Sequence, residues 1–128
     1  MSAHIDRFVA DRLPPAALQP QMLRDLPELR FPDQLNLVHE LLDRADEKGW
    51  GDRPMLRSPR ITLSYREARE RVDRIAQVLV HDLGLVPGNR VLLRGGNSIG
   101  LALAWLGVVK AGMVAVATMP LLRAKELN

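Results

Sequence analysis

The segment Gly95-Gly96-Asn97-Ser98-Ile99-Gly100 has the residue types that could bind a phosphate. A glycine-rich turn between a strand and a helix can offer backbone N–H groups and the positive helix end to a phosphate. The outer glycines match those of the dinucleotide fingerprint G-x-G-x-x-G, but Asn97 replaces the middle glycine and no acidic residue follows where a ribose would be held. We therefore interpret this segment as a tight turn.

Lys110 and His39 are the other candidate catalytic residues. None of the three lysines, Lys48, Lys110 and Lys125, lies in the Gly-Lys-Ser/Thr setting of a P-loop. Lys110 is placed near the end of a predicted helix, which favours a contact with the helix dipole or snorkelling over catalysis. His39 has no second histidine or carboxylate placed to complete a recognisable site, so we interpret it as a surface or packing residue.

The composition is that of a globular protein. Of the 128 residues, 47% are hydrophobic and 26% are charged. The net charge of +3 comes from 18 basic and 15 acidic residues that are interleaved, which indicates solvated helix faces rather than a nucleic-acid surface. The absence of cysteine excludes disulfides and thiolate chemistry and fits a reducing compartment, so we expect a cytoplasmic protein with no nucleic-acid partner.

Neither a secretory signal nor a membrane span is predicted. Charged residues between positions 6 and 12 interrupt the region where a signal peptide needs an apolar run. The stretch 99–122 has Lys110 as its only charge, but Gly112 and Pro120 divide it, and a transmembrane helix needs about 20 largely apolar residues.

Residues 1–32 are predicted to form a proline-rich N-terminal arm. Its five prolines each fix φ and remove a backbone donor, which prevents a long helix or a central strand. One short helix over residues 5–12 is expected. Phe8, Leu13 and Phe31 are the expected anchors that hold the arm to the rest of the chain.

Two elements are predicted to follow the arm. Asn36 is a good N-cap, apolar residues then recur at helical spacing, and Gly49 is placed as a terminator, which predicts a helix over 37–48. Segments 54–57 and 61–63 flank a Ser-Pro-Arg turn and predict a β-hairpin.

An amphipathic helix is predicted after the hairpin. Ser64 and Glu67 have the S-x-x-E spacing of a capping box, and an apolar stripe continues to Leu83 before Gly84 ends the helix. Two i,i+4 ion pairs are expected on its outer face: Arg66 with Glu70, and Glu67 with Arg71.

The last part of the sequence predicts a βαβ unit. A strand over 90–94, a helix over 99–111 capped by Ser98 or Asn97, and a strand over 114–118 follow in close succession. The predicted fold class is therefore α/β, with a β-hairpin, a βαβ unit and amphipathic helices.

Three blocks resemble core motifs of the adenylate-forming enzymes, in the same order and at similar spacing. Residues 63–68 (LSYREA) resemble Leu-Thr/Ser-Tyr-x-Glu-Leu, with Ala68 in place of the leucine. Residues 87–93 (PGNRVLL) resemble the Pro-Gly-Asp-Arg-Val strand, with Asn89 in place of the aspartate. Residues 105–112 (WLGVVKAG) and the apolar strand after them resemble the motif Leu-Lys-Ala-Gly and its strand.

By this resemblance the chain is the N-terminal portion of the large domain of an AMP-forming acyl-CoA synthetase. Residues 33–128 then form an incomplete N-terminal subdomain of the AMP-binding synthetase domain. Residues 52–54 (DRP), residues 119–127 (MPLLRAKEL) and the arm look most like the benzoate and 2-aminobenzoate CoA ligase branch.

The resemblance implies a two-step ligase reaction, in which an acyl adenylate forms from a carboxylic acid and ATP and is then converted to a coenzyme A thioester. ATP, magnesium and coenzyme A are expected for the parent enzyme. The family's phosphate loop, later acidic motifs and second lysine do not occur in this sequence. We therefore expect this chain alone to be inactive and to bind no cofactor, and we nominate no catalytic, cofactor-binding or metal-binding residue.

The expected partners follow from the same resemblance. The chain ends just after residues 123–127 begin a predicted helix, which we interpret as truncation. The parent enzyme is expected to bind a small carboxylic acid, and this piece to contact the remainder of its own polypeptide or, when isolated, to self-associate through an apolar face and an unpaired strand edge. The alternative interpretation is a free-standing, non-catalytic α/β binding or interaction module.

Overall fold

The computed structural model describes residues 3–21, 23 and 25–127. Its α-helices are α1 (Leu37–Leu41), α2 (Tyr65–Gln77), α3 (Ile99–Lys110) and α4 (Ala124–Leu127). Its strands are β1 (Pro54–Arg57), β2 (Thr62–Ser64), β3 (Arg90–Arg94) and β4 (Val114–Thr118). The predicted α/β class is confirmed.

The strands form two separate pairs. β1 and β2 are antiparallel and make the predicted hairpin, whereas β3 and β4 are parallel, with Arg90 opposite Val114 and Arg94 opposite Thr118. Helix α3 connects the two parallel strands, so the predicted βαβ unit is also confirmed.

The core lies around α3. One buried cluster joins α3 to α1, α2 and β2, and contains Val38, Leu42, Leu63, Ala68, Val72, Leu103 and Leu106. A second cluster of Leu79, Val108 and Met113 lies between the helices and the inner face of the parallel strands. Because α3 has packed neighbours on opposite sides, it is apolar almost all round. Within the described ranges, no helix combines the length and apolar character needed to cross a membrane.

Helix α2 begins and ends as its sequence indicates. The Glu67 carboxylate accepts the Ser64 N–H at 2.8 Å and the Ser64 hydroxyl accepts the Glu67 N–H at 3.2 Å, so the capping box is confirmed. The helix widens into a π-helical turn over Val78–Asp82 before Gly84, at φ +63, ends it. This wider turn rotates the end of the apolar stripe outward, and Leu83 is 61% exposed rather than buried.

The charged residues on the exposed side of α2 pair both along the helix, where Arg74 lies 3.9 Å from Glu70, and with residues outside it. Arg66 lies 3.1 Å from Asp46 and 3.3 Å from Asp52, both ahead of the hairpin, in place of the expected pair with Glu70. Glu67 uses its carboxylate in the cap. These contacts attach the start of α2 to the segment that follows α1.

Helix α1 is shorter than the predicted helix over 37–48. It ends at Leu41, and a 3₁₀ turn over Asp43–Ala45 follows. The tighter turn brings Leu42 and Ala45 into the core, at 0% and 2% exposure. Packing therefore overrides the regular helical repeat at this point.

The arm contains 3₁₀ turns over Ala10–Arg12, Ala16–Leu18 and Pro27–Leu29, and the predicted helix over 5–12 forms only at its end. Leu13 and Phe31 are 56% and 55% exposed, so their prediction as packing anchors is wrong for the described structure. Phe8, the third predicted anchor, does contact the rest of the chain, because its ring lies against the guanidinium group of Arg90. Proline rigidity keeps this segment extended and prevents Leu13 and Phe31 from reaching a common core.

Candidate functional site

The turn between β3 and α3 is a helix-capping turn. The Ser98 hydroxyl accepts the Leu101 N–H at 3.1 Å, which caps α3 as the sequence predicts. Gly95, Gly96 and Gly100 all lie outside the positive-φ region. A Cβ atom at Gly96 would meet no atom within 4 Å, so this glycine is not required by a close approach.

Lys110 joins three elements through two ion pairs. Its amino group contacts Asp43 in the 3₁₀ turn after α1 and Asp73 in α2. The Lys110 side chain is 21% exposed, so the charges meet in a partly buried setting. The interpretation of Lys110 as a helix-dipole contact or a snorkelling side chain is therefore corrected, because two carboxylates from other elements bind it.

The contact between Lys110 and Asp43 favours the charged form of both groups. Burial acts to lower the pKa of Lys110, but hydrogen bonds from its ammonium group to Asp43 and Asp73 outweigh this and raise the pKa above its ordinary value. Burial acts to raise the pKa of Asp43, but hydrogen bonds from Lys110 and His39 outweigh this and lower it. A lysine held protonated is neither a base nor a nucleophile, so this arrangement is suited to joining helices.

His39 lies at the outer end of the same cluster. Its Nδ1 atom is 3.1 Å from Asp43 Oδ2, and its side chain is 59% exposed. Sequence reasoning missed this carboxylate, although the i,i+4 spacing from His39 to Asp43 indicates it. The exposed position agrees with a surface histidine.

Asn36 also binds at the end of α3, which sequence reasoning did not find. Its Oδ1 atom accepts the N–H of Val38 at 3.0 Å, so the predicted N-cap of α1 is confirmed. Its amide group also donates to the carbonyl oxygens of Val109 and Lys110, both at 3.1 Å. One side chain thus caps the start of one helix and the end of another.

The carboxyl ends of the parallel strands form the surface where ligands bind in open α/β sheets. Arg94, at the end of β3, donates to the carbonyl oxygens of Pro120 at 2.8 Å and Leu122 at 2.7 Å. This holds the segment after β4 beside the Gly95–Ser98 turn, and together they form the candidate functional site. In the part of the chain that the structure describes, no cluster of three or more His, Cys, Asp or Glu residues could hold a metal ion.

Two curated relatives share this sequence pattern. Over 99 residues the chain is 38% identical to the salicyl-AMP ligase / salicyl-S-ArCP synthetase of Mycobacterium tuberculosis, covering 77% of this chain and 15% of the relative. Over 104 residues it is 31% identical to a long-chain-fatty-acid–CoA ligase of Salmonella typhimurium, covering 81% of this chain and 18% of the relative. The chain therefore spans less than a fifth of the length of these relatives.

The fold agrees with these sequence matches. A crystal structure of the anthranilate CoA ligase AuaEII, in complex with anthranoyl-AMP, matches with a TM-score of 0.69 and 25% identity, covering 76% of this chain and 18% of that chain. The matched region is the N-terminal portion of the adenylate-forming enzyme structure. A family model described as AMP-binding enzyme matches residues 43–128, two thirds of the sequence, and the chain belongs to this AMP-binding enzyme family.

Proposed function

We propose that this chain is an N-terminal scaffold of an ATP-dependent, AMP-forming carboxylate–CoA ligase. The observation that carries the proposal is the family match over residues 43–128, which includes the hairpin, helices α2 and α3, and the βαβ unit. The relatives named above include a ligase for an aryl acid and a ligase for fatty acids, both of which are carboxylic acids.

The proposed reaction of the parent enzyme has two steps. A carboxylate oxygen attacks the α-phosphorus of ATP, which forms an acyl adenylate and releases pyrophosphate. The thiol of coenzyme A then attacks the acyl carbon and displaces AMP. Because negative charge develops on the phosphate oxygens, hydrogen-bond donors of the parent enzyme would stabilise the first transition state, and Mg²⁺, when bound, would supply positive charge there.

Within this enzyme we assign residues 33–128 a positioning role, as an incomplete N-terminal subdomain that follows the arm over 1–32. We propose that the chain alone catalyses neither step and binds neither ATP, Mg²⁺ nor coenzyme A. The fixed ion pairs of Lys110 support this, because they remove from chemistry the lysine of the third family-like block. The site-forming segments after β3 and β4 would then present the edge on which the remaining domain is built.

The exposed outer face of the parallel strands supports the proposal that the remainder of the polypeptide packs against this chain. Leu92 and Val116 lie opposite each other in the register and are 59% and 39% exposed. Parallel sheets in proteins are covered on both faces, so we propose that later segments of the same polypeptide cover this one. When those later segments are absent, we expect the chain to self-associate through this outer face of β3 and β4. We propose the cytoplasm as its compartment.

We propose an aryl acid of the benzoate or 2-aminobenzoate type as the substrate. The higher identity to the salicyl-AMP ligase than to the fatty-acid ligase supports this class. The test is a pyrophosphate-release assay on the protein translated from the complete reading frame, supplied with benzoate, 2-aminobenzoate, salicylate or dodecanoate. Release that depends on an aryl acid is expected. Release with dodecanoate alone would contradict the proposed aryl-acid substrate but would still support the proposed ligase activity.

The same reading frame tests the alternative of a free-standing binding module. The ligase proposal expects it to continue beyond Asn128 into a glycine-rich phosphate loop that ends in lysine. A stop codon directly after Asn128 would favour the module and contradict the proposal.

A further inference from the structure

The beginning of the arm is bound to the turn that precedes β3. The backbone N–H groups of Ile5 and Asp6 both donate to the carbonyl oxygen of Pro87, each at 2.9 Å. A two-donor contact of this kind fixes the path of the arm as it crosses the turn.

The Asp6 carboxylate makes the specific part of this contact. It accepts the side-chain amide of Asn89 at 2.7 Å and pairs with the guanidinium group of Arg90. Its other oxygen accepts the backbone N–H of Phe8 at 2.9 Å. The Asp6 side chain is 22% exposed, so these partners enclose most of it.

The shapes of the two segments also match. Gly88 has φ +95, and a Cβ atom there would overlap the Asp6 carbonyl oxygen and lie 2.9 Å from His4 Cβ. The ring of Phe8 lies with its centroid 4.4 Å from the guanidinium carbon of Arg90. Glycine at this position therefore permits both the left-handed backbone and the close approach of the arm.

Asn89 is hydrogen-bonded on both sides of its amide. Its Oδ1 atom accepts the backbone N–H of Val86 at 2.9 Å, and this leaves the amide nitrogen directed at Asp6. An aspartate at position 89 could accept from Val86 but could not donate to Asp6. Instead, it would bring two carboxylates into contact, which is unfavourable.

The turn transmits this contact to the βαβ unit. The Gly88 N–H donates to the Gly112 carbonyl oxygen, and the Val114 N–H donates to the Asn89 carbonyl oxygen, both at 2.9 Å. These bonds join the turn to Gly112, which lies between α3 and β4, and to the first residue of β4. Arm docking and the start of the parallel strand pair are thus connected through one short turn.

We propose that residues 4–8 are a clip that closes on the turn 86–90 and that the amide of Asn89 is the group that selects the closed form. The closed clip orders the amino end of the parallel pair, whereas the open clip leaves the arm free. The clip is a conformational property of this chain, whether or not the parent protein is a ligase.

Hydrogen exchange measured by mass spectrometry on the complete 128-residue chain tests the clip. Asn89→Asp is expected to speed exchange in the peptide that carries the Ile5 and Asp6 amides by about tenfold or more, because a hydrogen bond to a charged group is replaced by repulsion. The double variant Asp6→Asn/Asn89→Asp restores a donor and an acceptor between positions 6 and 89 but loses the ion pair of Asp6 with Arg90, so it is expected to recover slow exchange in part. Asn97→Asp makes the same chemical change in the β3–α3 turn and is the matched control.

Exchange in α2, followed in the same experiment, shows whether each variant remains folded. If Asn89→Asp unfolds α2 as well, Asp6→Ala, which removes the acceptor without adding a charge, decides the question by the same readout. The proposal is overturned if the folded variant exchanges within about twofold of the parent chain, a difference smaller than one hydrogen bond provides. It is also overturned if Asn97→Asp has the same effect or if the double variant shows no recovery.

Discussion

Gly107 of α3 packs directly on the side chain of Ile75 in α2. A Cβ atom added at position 107 would lie 2.8 Å from Ile75 Cβ, well inside van der Waals contact. The absence of a side chain on Gly107 therefore sets how closely the two central helices approach. Gly107 belongs to the third family-like block, and the contact with Ile75 indicates that its role in that block is helix packing.

Gly107→Ala is expected to lower the free energy of unfolding by about 1 to 3 kcal/mol, because the added methyl group overpacks the α2–α3 interface. Urea unfolding followed by circular dichroism measures this change. Gly100→Ala is the matched control in the same helix, where the nearest atom to a new Cβ is Ser98 Oγ at 3.8 Å. Equal stability of the two variants would contradict the close packing.

Lys110→Met is expected to destabilise the chain by about 1 to 3 kcal/mol, since it leaves Asp43 and Asp73 without their shared cation. Solvent screening at this partly exposed cluster keeps the expected loss below that of a fully buried pair. Lys125→Met is the control, because the Lys125 side chain is 76% exposed. A Lys110→Met chain as stable as this control would show that the ion pairs contribute nothing.

Protonation of the Asp43 carboxylate is expected to lower the free energy of unfolding in acid. Burial raises the pKa of Asp43, but hydrogen bonds from Lys110 and His39 outweigh burial and lower it in the folded chain. Its contribution is therefore complete above the ordinary carboxyl pKa of about 4 and is lost as the pH falls through the folded-state pKa. Asp73, across Lys110, is the other carboxylate of the cluster.

The stability difference between the parent chain and Asp43→Asn, measured by urea unfolding at a series of pH values, should shrink below about pH 4. A difference that stays constant down to pH 2, about two units below the ordinary carboxyl pKa, would indicate that the charge of Asp43 does not stabilise the fold.

Leu92→Lys is expected to reduce self-association of the isolated chain, because it places a charge on the uncovered face of β3–β4. Sedimentation velocity and binding of an apolar dye measure the effect. Leu18→Lys, at a site in the arm that is 75% exposed, is the control. A parent chain that is already a monodisperse monomer without dye binding would contradict the proposed exposed interface.

Features encoded by neighbouring residues could be predicted from the sequence. The capping box of Ser64 and Glu67, the Asn36 cap and the β3–α3–β4 succession each depend on short-range spacing, and the structure confirms them. The three family-like blocks likewise identified the fold, because their motifs are local.

Long-range pairing could not be predicted in this way. The partners of Lys110 lie in two other elements, and its local position near a helix end indicated a dipole contact instead. The arm gave the same difficulty, since Asp6, which the sequence did not indicate, anchors it together with the predicted anchor Phe8. The resembled motif has aspartate at the position of Asn89. The contact with Asp6 explains the asparagine, because only an amide can donate a hydrogen bond to that carboxylate.

In the candidate site, too, the local turn could be predicted from the sequence and the long-range contact could not. The sequence placed the Gly95–Ser98 turn correctly between a strand and a helix, but gave no indication that Arg94 holds the segment after β4. That contact depends on the alignment of β3 with β4, and α3 separates these two strands in the sequence, so the residues next to Arg94 do not show it.

The scaffold role of this chain is tested by calorimetric titration of the 128 residues with ATP and Mg²⁺, repeated in the presence of benzoate and of coenzyme A. A scaffold portion without a nucleotide site of its own predicts no heat beyond dilution in each titration. Saturable binding of ATP at micromolar concentration would contradict this account. It would show that the Gly95–Gly100 segment or Lys110 forms a nucleotide site within this chain.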